Sequence, residues 1–285
     1  MHKVNLLQGT PEWHAWRDGK IGASEAPAIM GECPFKTPLA LWNEKSGFVE
    51  RSAPNSAMIH GSKTEKEARE AFCAEVGMTF KPACVERSPG DWMIASLDGL
   101  SECGKYLVEI KCPVKEERHL DVFLSGKVPK HYYAQLQHQL AVTGLEMAYF
   151  YSYYEKEGVL IEVKRDVAYI TQLIVAEQDF YQSLLDGIPP SPTARDYRSN
   201  DSEEWANLAS ELKKLKTISA EIEEKAKAIK SRLINIASGV PTKGAGVSVF
   251  PVARKGSIDI EKLQQEFLIN PDHYRNPPTI SWQVR

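Results

Sequence analysis

The feature that most constrains this chain is a change of period between residues 78 and 112. The segments Met78–Glu86, Asp91–Ser96 and Tyr106–Cys112 read as short strands separated by turn residues, while the sequence on either side reads as helix. Ser101-Glu102-Cys103-Gly104 supplies turn chemistry between the last two, which predicts a hairpin. Before the strands, Thr37-Pro38 reads as an N-cap followed by proline at the first helical position, with Gly47 ending that helix. A longer helix is predicted from Met58 to Val76. It places Glu65, Ala68 and Phe72 on one face, and Gly77 stops it. After the strands come helices at about 116–124 and 130–142, strands at 147–154 and 159–164, and a helix at about 168–185. This order predicts a mixed α/β domain built on a central sheet.

Gly187-Ile188-Pro189-Pro190-Ser191-Pro192 reads as a stiff, extended linker, which divides the chain into a core at 1–188, a linker at 189–201 and an appendage at 202–285. In the appendage, Trp205, Leu208, Leu212, Leu215, Ile218, Ile222, Ile229, Leu233 and Ile236 recur mostly at steps of three and four. A helix of roughly 35 residues follows, on the order of 50 Å long. Its apolar seam fits either packing on the core or association with another chain. The tail from Gly246 reads as a strand, a short helix at 258–267 and a final strand.

Composition narrows the function. A formal net charge of −3 argues against a broad surface that coats nucleic acid, although it allows a basic cleft on an acidic body. The five cysteines include no C-x-x-C pair, which disfavours a zinc ribbon or an iron–sulfur cluster. There is no clustered histidine ligand set to suit a zinc hydrolase. No apolar run reaches membrane-spanning length, and Met1-His2-Lys3-Val4-Asn5 lacks the apolar core of a signal peptide. A cytoplasmic protein without membrane contact is the expectation.

The chemistry concentrates in Ser96-Leu97-Asp98-Gly99 and, after ten residues that intervene beyond Asp98, Glu109-Ile110-Lys111. Alternation along a strand puts Glu109 and Lys111 on one face, opposite Val108 and Ile110. A hairpin brings Asp98, at the end of the preceding strand, beside Glu109. Two carboxylates and a backbone carbonyl, that of Ile110, suit a hard divalent cation such as Mg²⁺, with Mn²⁺ as a substitute. Such an ion neutralises a phosphodiester and activates a bound water, while an adjacent lysine orients that water or stabilises the crowded phosphorus. Spacing alone also fits an ordinary strand with Glu and Lys on its wet face.

Ser-x-Asp-Gly-Leu followed by Glu-x-Lys-Cys-Pro resembles the core of the lambda-exonuclease-like, or YqaJ-type viral recombinase, family of PD-(D/E)XK nucleases. Further blocks resemble that family in its order, over roughly residues 10–165: Trp13-His14-Ala15-Trp16-Arg17, Ile21-Gly22-Ala23-Ser24-Glu25, His60 to Ala68, and Tyr132-Tyr133-Ala134-Gln135-Leu136-Gln137. The resemblance implies a restriction-endonuclease-like core with a mixed sheet flanked by helices. It implies that Asp98, Glu109 and the Ile110 carbonyl are metal ligands, that Glu65 supports the metal and that Lys111 is the catalytic lysine. Gln135 then lines the active site, and Arg17, Ser24 and Ser96 form a pocket for a terminal 5′-phosphate.

The implied activity is Mg²⁺-dependent exonuclease digestion of linear double-stranded DNA, 5′ to 3′, leaving a 3′ single strand for phage-type recombination. The implied partners are DNA ends, further copies of the chain in a trimeric ring and a single-strand annealing protein. The alternatives are an endonuclease of the same fold and a catalytically silent DNA-end-binding scaffold. A Cas4-like enzyme is disfavoured by the cysteine spacing. The region beyond the linker has no counterpart in the lambda-type enzyme, so the assembly is the least constrained expectation.

Overall fold

The computed structural model describes residues 1–50, 53–253, 256 and 259–267. Their contacts separate into two compact units, one running through Tyr197 and the other starting at Arg198.

The first unit contains strands β1 (His2–Val4), β2 (Ile21–Gly22), β3 (Phe80–Glu86), β4 (Met93–Ser101), β5 (Leu107–Lys111), β6 (Met147–Tyr154) and β7 (Glu157–Lys164). Its helices are α1 (Pro11–Arg17), α2 (Ala26–Ile29), α3 (Pro38–Lys45), α4 (Ser56–Val76), α5 (Glu116–Ser125), α6 (Lys130–Thr143) and α7 (Val167–Leu185). The strands form one mixed sheet in the order β1-β3-β4-β5-β6-β7, with β2 paired to β4. The β5–β6 and β2–β4 pairings are parallel and the others antiparallel. The expected mixed α/β class, with a central sheet between helices, is the observed one.

Local chemistry explains where the helices begin and end. Thr37 caps α3 by accepting from the Ala40 amide, and Pro38 occupies its first turn. Asn55 caps α4 in the same way, and Gly77 ends it in the left-handed region at φ 65°. Alternation in the strands then distributes side chains to two cores. One face of the sheet gathers Leu97, Leu107, Ala148 and Phe150 with Leu136 and Leu140 of α6. The other gathers Phe80, Val108, Ile110 and Tyr149 with Ala68 and Phe72 of α4. Burying a phenylalanine such as Phe72 contributes about 1.5–3 kcal/mol relative to leaving it exposed. Leu107 and Val108 thus point to opposite helical layers, and Glu109 and Lys111 follow Leu107 toward α6.

One departure from the sequence reading bears directly on the site. The strand expected to end at Ser96 continues to Ser101, so Asp98 lies within β4. Ala83 faces Leu97 and Lys81 faces Leu100, so β4 takes three steps where β3 takes two. This is a bulge at Asp98-Gly99, a device that re-aims a side chain. Gly99 is required there. A Cβ at this position would lie 2.7 Å from Val108 Cγ1 and 2.9 Å from Phe80 Cβ.

The first unit also reaches past the proline-rich segment. Arg195 donates to the Cys33 and Pro34 carbonyls at 2.8 and 2.7 Å, and the Thr37 hydroxyl donates to Asp196. These bonds fasten residues 193–197 to the loop after α2, which explains why the boundary falls at Tyr197 and not at residue 188.

The second unit opens with α8 (Glu203–Ala237), 35 residues long and capped by Ser202. Trp205, Leu208, Leu215, Ile218, Ile222 and Ile229 along it are exposed. The hairpin β8 (Thr242–Gly244) and β9 (Val247–Val249) follows, then α9 (Ile260–Phe267). The expected final strand lies outside the described residues. Among the described residues no helix is long and apolar enough to cross a membrane.

Candidate active site

Opposite the bulge, the Asp98 carboxylate accepts a hydrogen bond from the Ile110 amide at 2.8 Å. That bond fixes Asp98 against β5, where Glu109 and Lys111 occupy the α6 face. The Lys111 ammonium donates to Glu109 Oε1. Gln135 of α6 donates to the same oxygen at 2.6 Å, and Gln139, one turn on, donates to Glu109 Oε2. Residues four apart on a helix share a face, so α6 grips both oxygens of one carboxylate. Only 2% of the Glu109 side chain is exposed, against 26% of Lys111, which therefore remains within reach of a ligand.

Burial and the nearby Glu109 push the Asp98 carboxyl well above the ordinary carboxylate range, Lys111 only partly opposing them. Burial works against the Lys111 ammonium, but Glu109 and Asp98 outweigh it and hold its pKa above the ordinary lysine value. Burial, with Asp98 and Glu65 nearby, pushes the Cys112 thiol up to about 12.

The three candidates for phosphate recognition meet the same cleft. Its volume is about 170 Å³, and its walls include Arg17, Ser24, Ser96, Asp98, Glu109, Lys111 and Gln135. Arg17 Nη2 donates to Ser24 Oγ at 3.3 Å. Trp13 carries no role in the sequence reading, yet it organises this end. Its indole N–H donates to Ser96 Oγ at 2.8 Å, and the Arg17 guanidinium lies 4.4 Å from its ring centroid. Gly22 leaves room for the guanidinium, since a Cβ there would sit 3.3 Å from Arg17 Nη2.

Glu65 is placed differently from the other candidates. It does not line the cleft. Arg69 binds its carboxylate at 2.9 Å and also donates to the Asp98 carbonyl at 2.9 Å. Among the described residues no three His, Cys, Asp or Glu side chains gather closely enough to hold a metal. The donor set is thus two converging carboxylates with a carbonyl between Glu109 and Lys111 in sequence. This fits a hard cation that keeps several waters and substrate oxygens as ligands.

Gln137 is structural: it donates to the Lys164 carbonyl and accepts from the Asp166 amide. Gln139 is a site residue that sequence reasoning missed, although its spacing from Gln135 is a readable signal. A larger, open groove of about 620 Å³ runs along residues 161–167 and shares no residue with the cleft. Its Asp166 is committed to the Tyr133 hydroxyl and to capping α7.

Comparison with known proteins agrees with the resemblance read from sequence. Residues 12–146 match the family model of the YqaJ-like viral recombinase domain. The chain is 29% identical over 201 residues to the protein YqaJ of Bacillus subtilis (strain 168), an alignment covering 66% of this chain. It spans 60% of the length of that curated relative. Among solved structures it is similar to the alkaline exonuclease LHK-Exo of Laribacter hongkongensis, at 27% identity and a TM-score of 0.55, covering 62% of this chain and 93% of that one. The same enzyme in complex with dAMP gives a TM-score of 0.56 with the same coverage.

Proposed function

We propose, taking the YqaJ-like viral recombinase domain at residues 12–146 as the premise, that this chain is a metal-dependent exonuclease acting on ends of linear double-stranded DNA. The observation that carries this reading is the shared cleft. The Asp98–Glu109–Lys111 cluster and the Arg17–Ser24–Ser96 group open into one volume of about 170 Å³, so a strand end held by the second presents a nearby phosphodiester to the first. The similarity to an alkaline exonuclease at 27% identity supports the same class of reaction.

In this reading Asp98, Glu109 and the Ile110 carbonyl would hold Mg²⁺, or Mn²⁺ in its place. When bound, the ion supplies charge neutralisation at the phosphodiester and a water of lowered pKa. The remaining work belongs to the chain. Gln135 and Gln139 fix the rotamer of Glu109. Lys111 keeps its proton, and its ammonium orients the attacking water and stabilises charge on the phosphate oxygens. Arg17 forks onto the oxygens of a terminal 5′-phosphate, with the Ser24 and Ser96 hydroxyls completing the shell. Digestion then runs 5′ to 3′ and leaves a 3′ single strand for phage-type recombination. A trimeric ring around DNA and a single-strand annealing protein as partner belong to the same proposal.

The test is digestion of linear duplex DNA labelled at either end, with Mg²⁺ or EDTA, beside closed circular DNA. Mg²⁺-dependent loss from the 5′ end with circles left intact is the expected result. Nicking of circles would instead establish an endonuclease, and binding without turnover a scaffold. Arg17→Ala should lower the preference for 5′-phosphoryl over 5′-hydroxyl ends by about tenfold, the scale of one charge-assisted bond. An unchanged ratio would remove Arg17 from the phosphate site.

A further inference from the structure

The cleft accounts for Lys111 from below, but not for what lies beyond it. The Lys111 ammonium sits 5.0 Å from the Tyr132 ring centroid. Tyr132 is 4.0 Å from His131, and His131 is 6.2 Å from Phe35 in an edge-to-face contact. The Arg118 guanidinium of α5 lies 5.9 Å from the Phe35 ring. The three rings thus make a continuous ridge that starts at the catalytic lysine and ends at the surface, with a cation at each end. Tyr132, His131 and Phe35 are not among the residues that line the cleft, so the ridge extends the site outward from it.

Phe35 ends this ridge with 70% of its surface exposed. A single exposed apolar residue is ordinary. This one, however, stands on a loop that is held rigid. Arg195 clamps the carbonyls of Cys33 and Pro34 at 2.8 and 2.7 Å, and the Tyr169 hydroxyl donates to Glu32 at 2.7 Å. The bracing presents a phenyl ring to solvent in a fixed position, beside two further rings and two cations. Flat aromatic faces combined with positive charge favour unstacked nucleobases on an anionic backbone.

We propose that Phe35 and His131, backed by Tyr132, whose own ring is stacked on the buried Phe150 at 5.6 Å, form a stacking platform for the first unpaired bases of the digested strand on the 3′ side of the scissile phosphate. This rests on the nuclease reading above and adds a separate role to it. The platform holds bases that have left the duplex, so that the backbone between them and the terminal-phosphate pocket is drawn taut across Lys111. Because every base has a π face, such a platform is indifferent to sequence.

The test uses 5′-phosphorylated duplexes carrying a fluorescent purine analogue at each of the first few nucleotides in turn, bound in Ca²⁺. Natural duplex digested in Mg²⁺ serves as the parallel control. The wild-type protein should quench the analogue just beyond the scissile phosphate. Phe35→Ala and His131→Ala should relieve the quench and weaken binding by about tenfold, the scale of one lost base stack. Phe35→Trp should restore both. An abasic nucleotide at that position should weaken wild-type binding by a similar factor and add nothing to Phe35→Ala. The platform is overturned if Phe35→Ala leaves the quench intact, or if it weakens binding equally on abasic and complete DNA. Loss of the nuclease reading shows separately, as natural duplex left undigested by the wild-type protein in Mg²⁺. If wild-type protein does not bind DNA at all, both readings fall.

Discussion

Helix α6 buries a carboxylate cluster on each of two faces, and the two clusters are solved in opposite ways. On one face, His138 lies 2.7 Å from Glu177 through Nδ1 and 2.9 Å from the Ile94 carbonyl through Nε2, with His138 and Glu177 fully buried. Both partners are acceptors, so the ring satisfies them as an imidazolium: one positive charge meets one negative charge. On the other face, Gln135 and Gln139 hold Glu109 beside a second, partly buried carboxylate, Asp98, and a single lysine serves both. The first arrangement pairs its charges, with Glu177 Oε2 left buried and without a hydrogen-bond partner, and locks α6 to α7 and β4. In the second, two carboxylates share a single lysine, which stability alone would not select. The difference teaches that buried charge is not itself a mark of function, whereas perturbed carboxylates at the wall of a cleft mark a candidate site.

The sharpest way to break this comparison is to remove the lysine. Lys111→Ala should lower hydrolysis by about a thousandfold, a loss typical of removing one group that stabilises charge in the transition state. DNA binding in the presence of a divalent ion should change little. Retained turnover would show that the Lys111 cluster is structural after all.

The His138–Glu177 cluster should respond in stability. His138→Leu leaves Glu177 buried without a counter-charge and should cost about 3–5 kcal/mol in denaturant unfolding. Adding Glu177→Met should return most of it. The pH dependence has a definite sign. Burial opposes the His138 charge, but Glu177 outweighs it and raises the folded pKa above the ordinary histidine value. The contribution is therefore fully present below about pH 6.5, the unfolded value, and is lost as pH rises through the raised folded value. The stability gap between wild type and His138→Leu should be wider in mild acid than in alkali. A gap independent of pH would mean that the ring acts by packing alone.

Much of this was legible from sequence. The change of period at residues 78–112 located the sheet, and alternation put Glu109 and Lys111 on one face because that rule needs only the strand itself. The bulge at Asp98-Gly99 was not legible, since it exists only relative to the register of β3. The clue was present in Gly99, whose necessity becomes clear once Val108 and Phe80 are seen against it. Trp13 and Arg69 were missed for a related reason: each acts on a residue far away in sequence, Ser96 and Asp98 respectively. The segment around residue 195 read as linker because its composition is stiff and polar, while its anchoring depends on carbonyls of a distant loop.

On the proposed function, Asp98 and Glu109 are held together at the expense of stability so that a divalent cation can join them. Thermal unfolding of wild type and Asp98→Asn, with and without Mg²⁺, tests this directly. The asparagine can still accept from the Ile110 amide and can donate toward Glu109, so without metal the variant should melt a few degrees higher. Mg²⁺ should raise the wild-type midpoint and leave the variant unmoved. A variant less stable than wild type without metal, or one stabilised by Mg²⁺ as strongly as wild type, would contradict the account.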